Sequence, residues 1–148
     1  MADLRFRISA NSETRTKTVV KARSFQIIID EPQDLGGSDS AANPVEYVLA
    51  AFAGCLNVMA HVVARELGIT LRSVSIDIAG TLNPEKLFGQ PTEDRAGYKE
   101  ISVKMRPDCD ADAETLQKWL DAVAARCPVC DNLKNPTPVK LALAKCSK

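Results

Sequence analysis

The segment NPVEYVLAAFAGCLNVMAHVVAREL, from Asn43 to Leu67, limits the chain's choices more than any other. Asn43 suits a helix N-cap and Pro44 the first helical position, and helix formers follow as far as Gly68, which suits a C-terminal stop. A helix over Pro44 to Leu67 would be about 36 Å long at roughly 1.5 Å per residue. Leu49, Phe52, Leu56, Met59 and Val63 spread apolar surface over several of its faces, so it has to be wrapped on most sides. A lone antiparallel sheet covers one side only. The rest must come from another helix or from a second copy of the chain, a first reason to expect a homodimer. Glu46, Asn57 and His61 interrupt the apolar run and no basic cluster flanks it closely, so it reads as a core helix rather than a membrane span.

On the N-terminal side of this helix the periodicity changes to two. Leu4, Phe6 and Ile8 alternate with polar residues, and Lys17 to Val20 and Phe25 to Ile29 carry β-branched runs, which predicts three antiparallel strands. EPQDLGGSDSAANP is then a loop that delivers the chain to the helix. Beyond the helix, Val74, Ile76 and Ile78 alternate, as do Ile101, Val103 and Met105, giving two more strands around the irregular NPEKLFGQPTEDRAG, a loop or lid. Leu116, Trp119, Leu120 and Val123 recur at helical spacing behind Asp110 and Asp112, and this helix stops near Cys127 because the residue before Pro128 is biased away from helical geometry. Val139, Leu141 and Leu143 alternate as a last strand. The predicted order is βββαββαβ, an α+β fold with two helices, and the length fits a single domain over residues 1–148.

Charge narrows the function classes. Lys plus Arg equals Asp plus Glu at 19 each, with no long run of either sign, which argues against a nucleic-acid stripe and for a small neutral or apolar partner. No basic-then-apolar leader occupies Met1 to Ile8, so the expected location is cytoplasmic. Cys55, Cys109, Cys127, Cys130 and Cys146 are odd in number and irregular in spacing, which fits a reducing compartment where any disulfide is redox-active.

At about 100° per residue, Val48, Phe52, Cys55, Met59 and Val62 fall on one stripe, so Cys55 faces apolar surroundings. The ordinary outcome there is an inert packed cysteine, and a reactive thiolate would need a cation brought from elsewhere in the fold. Leu116, Leu120, Val123 and Cys127 put Cys127 at the end of the second helix's buried stripe. Two inward-facing cysteines in a small fold can come within disulfide reach, which the sequence permits without requiring. CPVC offers a competing, thioredoxin-type redox motif, but it follows an amphipathic helix in the last quarter of the chain rather than an early strand. No second Cys-x-x-Cys exists and His61 is the sole histidine, so a metal site is not expected. His61 lies about 120° around the helix from Cys55 and reads as a partly buried or interface residue.

NPVEYVLAAFAGCLNV, CPVCDNL and the closing NPTPVKL resemble the OsmC and Ohr family, the osmotically inducible and organic hydroperoxide resistance proteins, and the shifts noted below look nearer its uncharacterised OsmC-like branch than its dedicated reductases. The resemblance implies an intertwined homodimer in which two long helices are buried between sheets from both chains. It also implies a first cysteine that attacks an organic hydroperoxide, becomes a sulfenic acid and is resolved as a disulfide by a second, with dithiols such as lipoyl groups on proteins as reductants. By position Cys55 would be peroxidatic and Cys127 resolving. The catalytic glutamate of the best-studied reductases directly follows the proline; here Val45 stands there and Glu46 comes one place later, where a helix N-terminal charge is the simpler role. Arg15 and Arg23 are candidates for the family's activating arginine, with Arg23 preferred; Cys130, where relatives commonly carry serine, is either a small packing residue or an additional redox thiol that takes the disulfide over from Cys55–Cys127. The expected function is a thiol-dependent peroxidase that needs no metal or organic cofactor and has no nucleic-acid or membrane partner. Its rivals are a ligand-binding protein on the same fold and disulfide exchange centred on CPVC.

Overall fold

Strands β1 (Ser9–Ser12), β2 (Thr18–Ala22) and β3 (Phe25–Ile29) precede helix α1 (Pro44–Glu66). Strands β4 (Ser73–Thr81) and β5 (Glu100–Asp108) and helices α2 (Ala113–Arg126) and α3 (Pro128–Lys134) follow it. Short 3-10 turns occupy Gln33–Leu35 and Pro84–Lys86. This computed structural model describes residues 1–144, so Cys146 lies outside the described residues. They gather into two compact units, Met1–Ala51 and the remainder from Phe52.

In the first unit β1, β2 and β3 form an antiparallel sheet in that order, with Ser9 opposite Lys21 and Ala22 opposite Phe25. Arg23 and Ser24 make the two-residue loop between β2 and β3, and Arg23 takes the left-handed conformation such a tight turn demands, with φ of 57°. The strand predicted over Leu4–Ile8 does not form; β1 starts at Ser9. The register explains the difference, because Ile8 falls opposite Ala22, the last residue of β2, and residues before it run past the strand's end, where the chain has already turned at Arg23. Leu4, Phe6 and Ile8 stay exposed.

Asp30 organises the loop that leads to α1. Its fully enclosed carboxylate accepts from the hydroxyls of Ser38 at 2.6 Å and Ser40 at 2.9 Å, and from the N–H groups of Glu31, Ser38 and Ser40. The Ser38 hydroxyl is the largest influence, and the donors together hold the carboxyl well below its usual range against the opposing effect of desolvation. Gly37 is required where this loop folds back, since a Cβ there would collide with the Glu31 carbonyl oxygen. Asn43 and Glu46 then start the helix reciprocally: the Glu46 N–H donates to Asn43 Oδ1 at 2.9 Å and the Asn43 N–H to Glu46 Oε2 at 2.8 Å. Tyr47 ties this first turn to β3 by donating its hydroxyl to the Ile28 carbonyl at 2.6 Å.

In the second unit α1 ends as the sequence predicts. Gly68 has φ of 70°, and Ile69 N–H reaches Ala64 O while Gly68 N–H reaches Arg65 O, closing the last turn with a left-handed glycine. β4 and β5 pair antiparallel, with Ile76 opposite Met105 and Ile78 opposite Val103 on the face that packs on the core. The other face carries Asp77, Lys104 and Arg106 in the open. The core gathers Phe52, Leu56, Ala60, Val63 and Ala64 of α1, Trp119 and Val123 of α2, and Cys127 and Cys130.

Three further expectations are corrected. A third helix, α3, follows Pro128, because proline both ends the preceding helix and suits the first position of a new one. The last strand predicted at Val139–Leu143 is absent: these residues pair with no strand, and Val139, Leu141 and Leu143 stand exposed. The buried stripe of α1 is rotated by about one residue from the predicted one, so Leu56 and Ala60 are innermost while Val48 and His61 face outward.

Candidate functional site

Two contacts fix α2 against α1. Trp119, almost completely buried, donates its indole N–H to the Ala60 carbonyl at 2.9 Å. Arg126, the last residue of α2, grips both carboxylate oxygens of Glu66 at the end of α1 in a two-pronged pair. The next residue is Cys127, in extended conformation with φ of −77° and ψ of 112°, as Pro128 requires of the residue before it. Cys127 thus ends α2 and caps α3, and its Sγ accepts the Cys130 N–H at 3.4 Å.

This arrangement places the Cys127 thiol in the core cluster against which Cys55 of α1 packs, near enough for Cys55 to influence its ionisation. Both are free thiols; Cys127 is 1% exposed, and Cys55 is half-buried at the margin of the core stripe. Burial pushes the Cys127 thiol above its ordinary range, the Cys130 and Val129 N–H groups oppose this, and the neighbouring Cys55 adds to it. Chemically, two thiols on separate elements stand where an oxidised sulfur on one can be attacked by the other.

Cys130, 9% exposed, lies in the first turn of α3. It borders an apolar cavity of about 490 Å³ whose walls include Leu56, Val103, Met105 and Leu120. It also borders a neighbouring cavity of about 260 Å³ that carries Arg95, Tyr98, Lys99 and Lys134. Phe52 belongs to the walls of both; Cys55 and Cys127 belong to neither.

The other candidates are placed differently. Glu46 is engaged in the helix cap, where the sequence suggested no more than a helix N-terminal charge. Arg15 is exposed between β1 and β2, and Arg23 sits on its hairpin with the guanidinium 5.0 Å over the Phe25 ring; both belong to the first unit. Cys109 is half-buried just after β5. Among the described residues no three His, Cys, Asp or Glu side chains converge as a metal site requires. The Glu66–Arg126 clamp and the Asp30 network escaped the sequence reading. Charge pairs between distant segments have no periodic signature, although Asp30 followed by a serine-rich loop hinted at the second.

Residues 37–142 match the family model described as OsmC-like protein. The chain belongs to the OsmC-like family. A hydroperoxide reductase from Mycoplasma genitalium is 25% identical to this OsmC-like chain over 119 residues, covering 80% of this chain and 79% of the relative. The crystal structure of an OsmC-like protein from Mycoplasma pneumoniae matches with a TM-score of 0.78 at 20% identity, over 91% of each chain. That of an organic hydroperoxide resistance protein OsmC from Legionella pneumophila matches with a TM-score of 0.65 at 20% identity, over 90% of this chain and 92% of the other. The α+β fold is therefore OsmC-like, as the sequence resemblance implied.

Proposed function

We propose that this OsmC-like chain, acting as one domain over residues 1–148, is a thiol-dependent peroxidase that reduces organic hydroperoxides, with Cys55 as the peroxidatic and Cys127 as the resolving thiol. The observation that carries the proposal is that Cys55 packs against the core cluster that holds Cys127, near enough to raise its pKa. Relatives named hydroperoxide reductase and organic hydroperoxide resistance protein support the substrate class. In the first step the Cys55 thiolate attacks one oxygen of ROOH, the O–O bond breaks and, with a proton, the alcohol ROH leaves, giving a sulfenic acid on Cys55. Cys127 then attacks that sulfur. Its proton, retained because the thiol is buried, goes to the departing hydroxyl, so water leaves as the disulfide forms. An external dithiol, of which a protein-bound lipoyl group is one example, takes up the disulfide by exchange. Arg23, and after it Arg15, is the candidate cation for favouring the Cys55 thiolate.

A homodimer accompanies this proposal. The segments around Leu4–Ile8 and Val139–Leu143 each alternate apolar and polar residues, pair with no strand and leave their large side chains exposed. Val48 and Val58 of α1 are exposed as well, and Gly54 has open space where a side chain would stand. A second copy of the chain is the partner that such surfaces suit.

The test is turnover with a dithiol: the wild-type chain is expected to consume cumene hydroperoxide faster than hydrogen peroxide, and Cys55→Ser to lose the activity. The cavity of about 490 Å³ favours a second reading, an apolar-ligand binder on the same fold. Equal, slow consumption by wild type and Cys55→Ser would decide for it.

A further inference from the structure

Cys130 has no part in the two-thiol cycle, yet it borders open volume on two sides. It lines both the apolar cavity and the smaller cavity that carries Arg95 and Lys134, whereas Cys127, 1% exposed, lines neither. A disulfide between Cys55 and Cys127 would have its Cys127 sulfur sealed in the core, so a reductant arriving from outside would have to attack the half-buried Cys55 sulfur.

Local geometry supplies a way around this. Cys127 caps α3 and Cys130 is the third residue of that helix, and Cys127 Sγ already rests against the Cys130 backbone N–H at 3.4 Å. Residues three apart on a helix hold their Cβ atoms about 5–6 Å apart. The extended conformation of Cys127 lets its side chain turn back over the first turn, toward the Cα separations of about 4.4–6.8 Å that disulfides span.

We infer that Cys130 is a second resolving thiol, which moves the oxidised pair from Cys55–Cys127 to Cys127–Cys130. The inference rests on the peroxidase reading for its oxidant, an organic hydroperoxide. Cys130, as thiolate, attacks Cys127 Sγ; the new S–S bond forms as the bond to Cys55 breaks, and the electron pair leaves on Cys55 Sγ, which takes up the proton that Cys130 gave up. The step is an exchange without net oxidation or reduction. It returns Cys55 to the thiol state, and it presents the disulfide to an external dithiol at the sulfur that borders the cavities.

Titration of the fully reduced chain with cumene hydroperoxide, without reductant, tests the exchange. The wild type should consume about two equivalents per chain, the first ending as Cys127–Cys130 and the second as a Cys55 sulfenic acid trapped by dimedone. Cys130→Ser should consume about one equivalent and stop at Cys55–Cys127. Wild-type consumption of a single equivalent, with Cys55–Cys127 as the product and Cys130 open to alkylation, overturns the inference. Because Cys130 is a core position, a parallel measurement uses the wild type alone, oxidised by diamide. Cys127–Cys130 is the expected main product, and Cys55–Cys127 as main product contradicts it. If diamide yields Cys127–Cys130 while hydroperoxide is not consumed, the pairing of these two thiols stands and the peroxidase reading fails.

Discussion

A buried carboxylate and a buried thiol are held in opposite protonation states by the same means, the donors around them. Asp30 accepts from both serine hydroxyls and three N–H groups, which favours its charge; the Cys130 and Val129 N–H groups beside Cys127 do not offset its burial. Since the folded pKa of Asp30 is depressed, its contribution to stability is fully present above the unfolded value of about 4 and is lost as pH falls through the lower folded value. Asp30→Asn should therefore melt at a lower temperature than wild type at pH 7, and the gap should narrow below pH 4. Thermal melts across pH check this; a gap that does not change with pH would mean that the carboxylate's charge is unimportant to the loop.

At the scale of elements, the start of α1 separates structural from catalytic roles. Asn43→Ala should cost about 1 kcal/mol of stability, the usual value of a lost N-cap. Glu46→Ala should also lower the melting temperature while leaving the hydroperoxide rate within about twofold, because the carboxylate is spent on the Asn43 N–H. A loss of rate with no loss of stability would give Glu46 a catalytic role instead. The bounds of α1 were legible in the sequence because Asn43, Pro44 and Gly68 act locally. The inward face of α1 was not, since a helix apolar nearly all round leaves the direction to its neighbours, here Trp119 and Val123. Alternation at Leu4–Ile8 and Val139–Leu143 marks segments with one apolar face, but a strand also needs a partner edge, and alternation cannot name one. Pro128 was legible as a stop, and a helical turn after it as an option only, so α3 was missing from the predicted order. The meeting of Cys55 and Cys127 depends on the Trp119 and Arg126 contacts between helices, so the sequence could permit that pairing without requiring it.

For the whole molecule, the exposed Phe6, Ile8, Leu141 and Leu143 amount to apolar surface that a soluble chain rarely leaves open. The wild type should run as a dimer by light scattering at micromolar concentration, and Phe6→Asp combined with Leu141→Asp should shift it toward monomer. A well-folded wild-type monomer would remove the dimer from the proposal. The peroxidase claim is tested most directly by counting thiols after one equivalent of cumene hydroperoxide has been added to the reduced chain. The account predicts release of the alcohol together with loss of a pair of thiols that always includes Cys127, and no loss in Cys55→Ser. Unconsumed hydroperoxide, or the same consumption by Cys55→Ser, would contradict it.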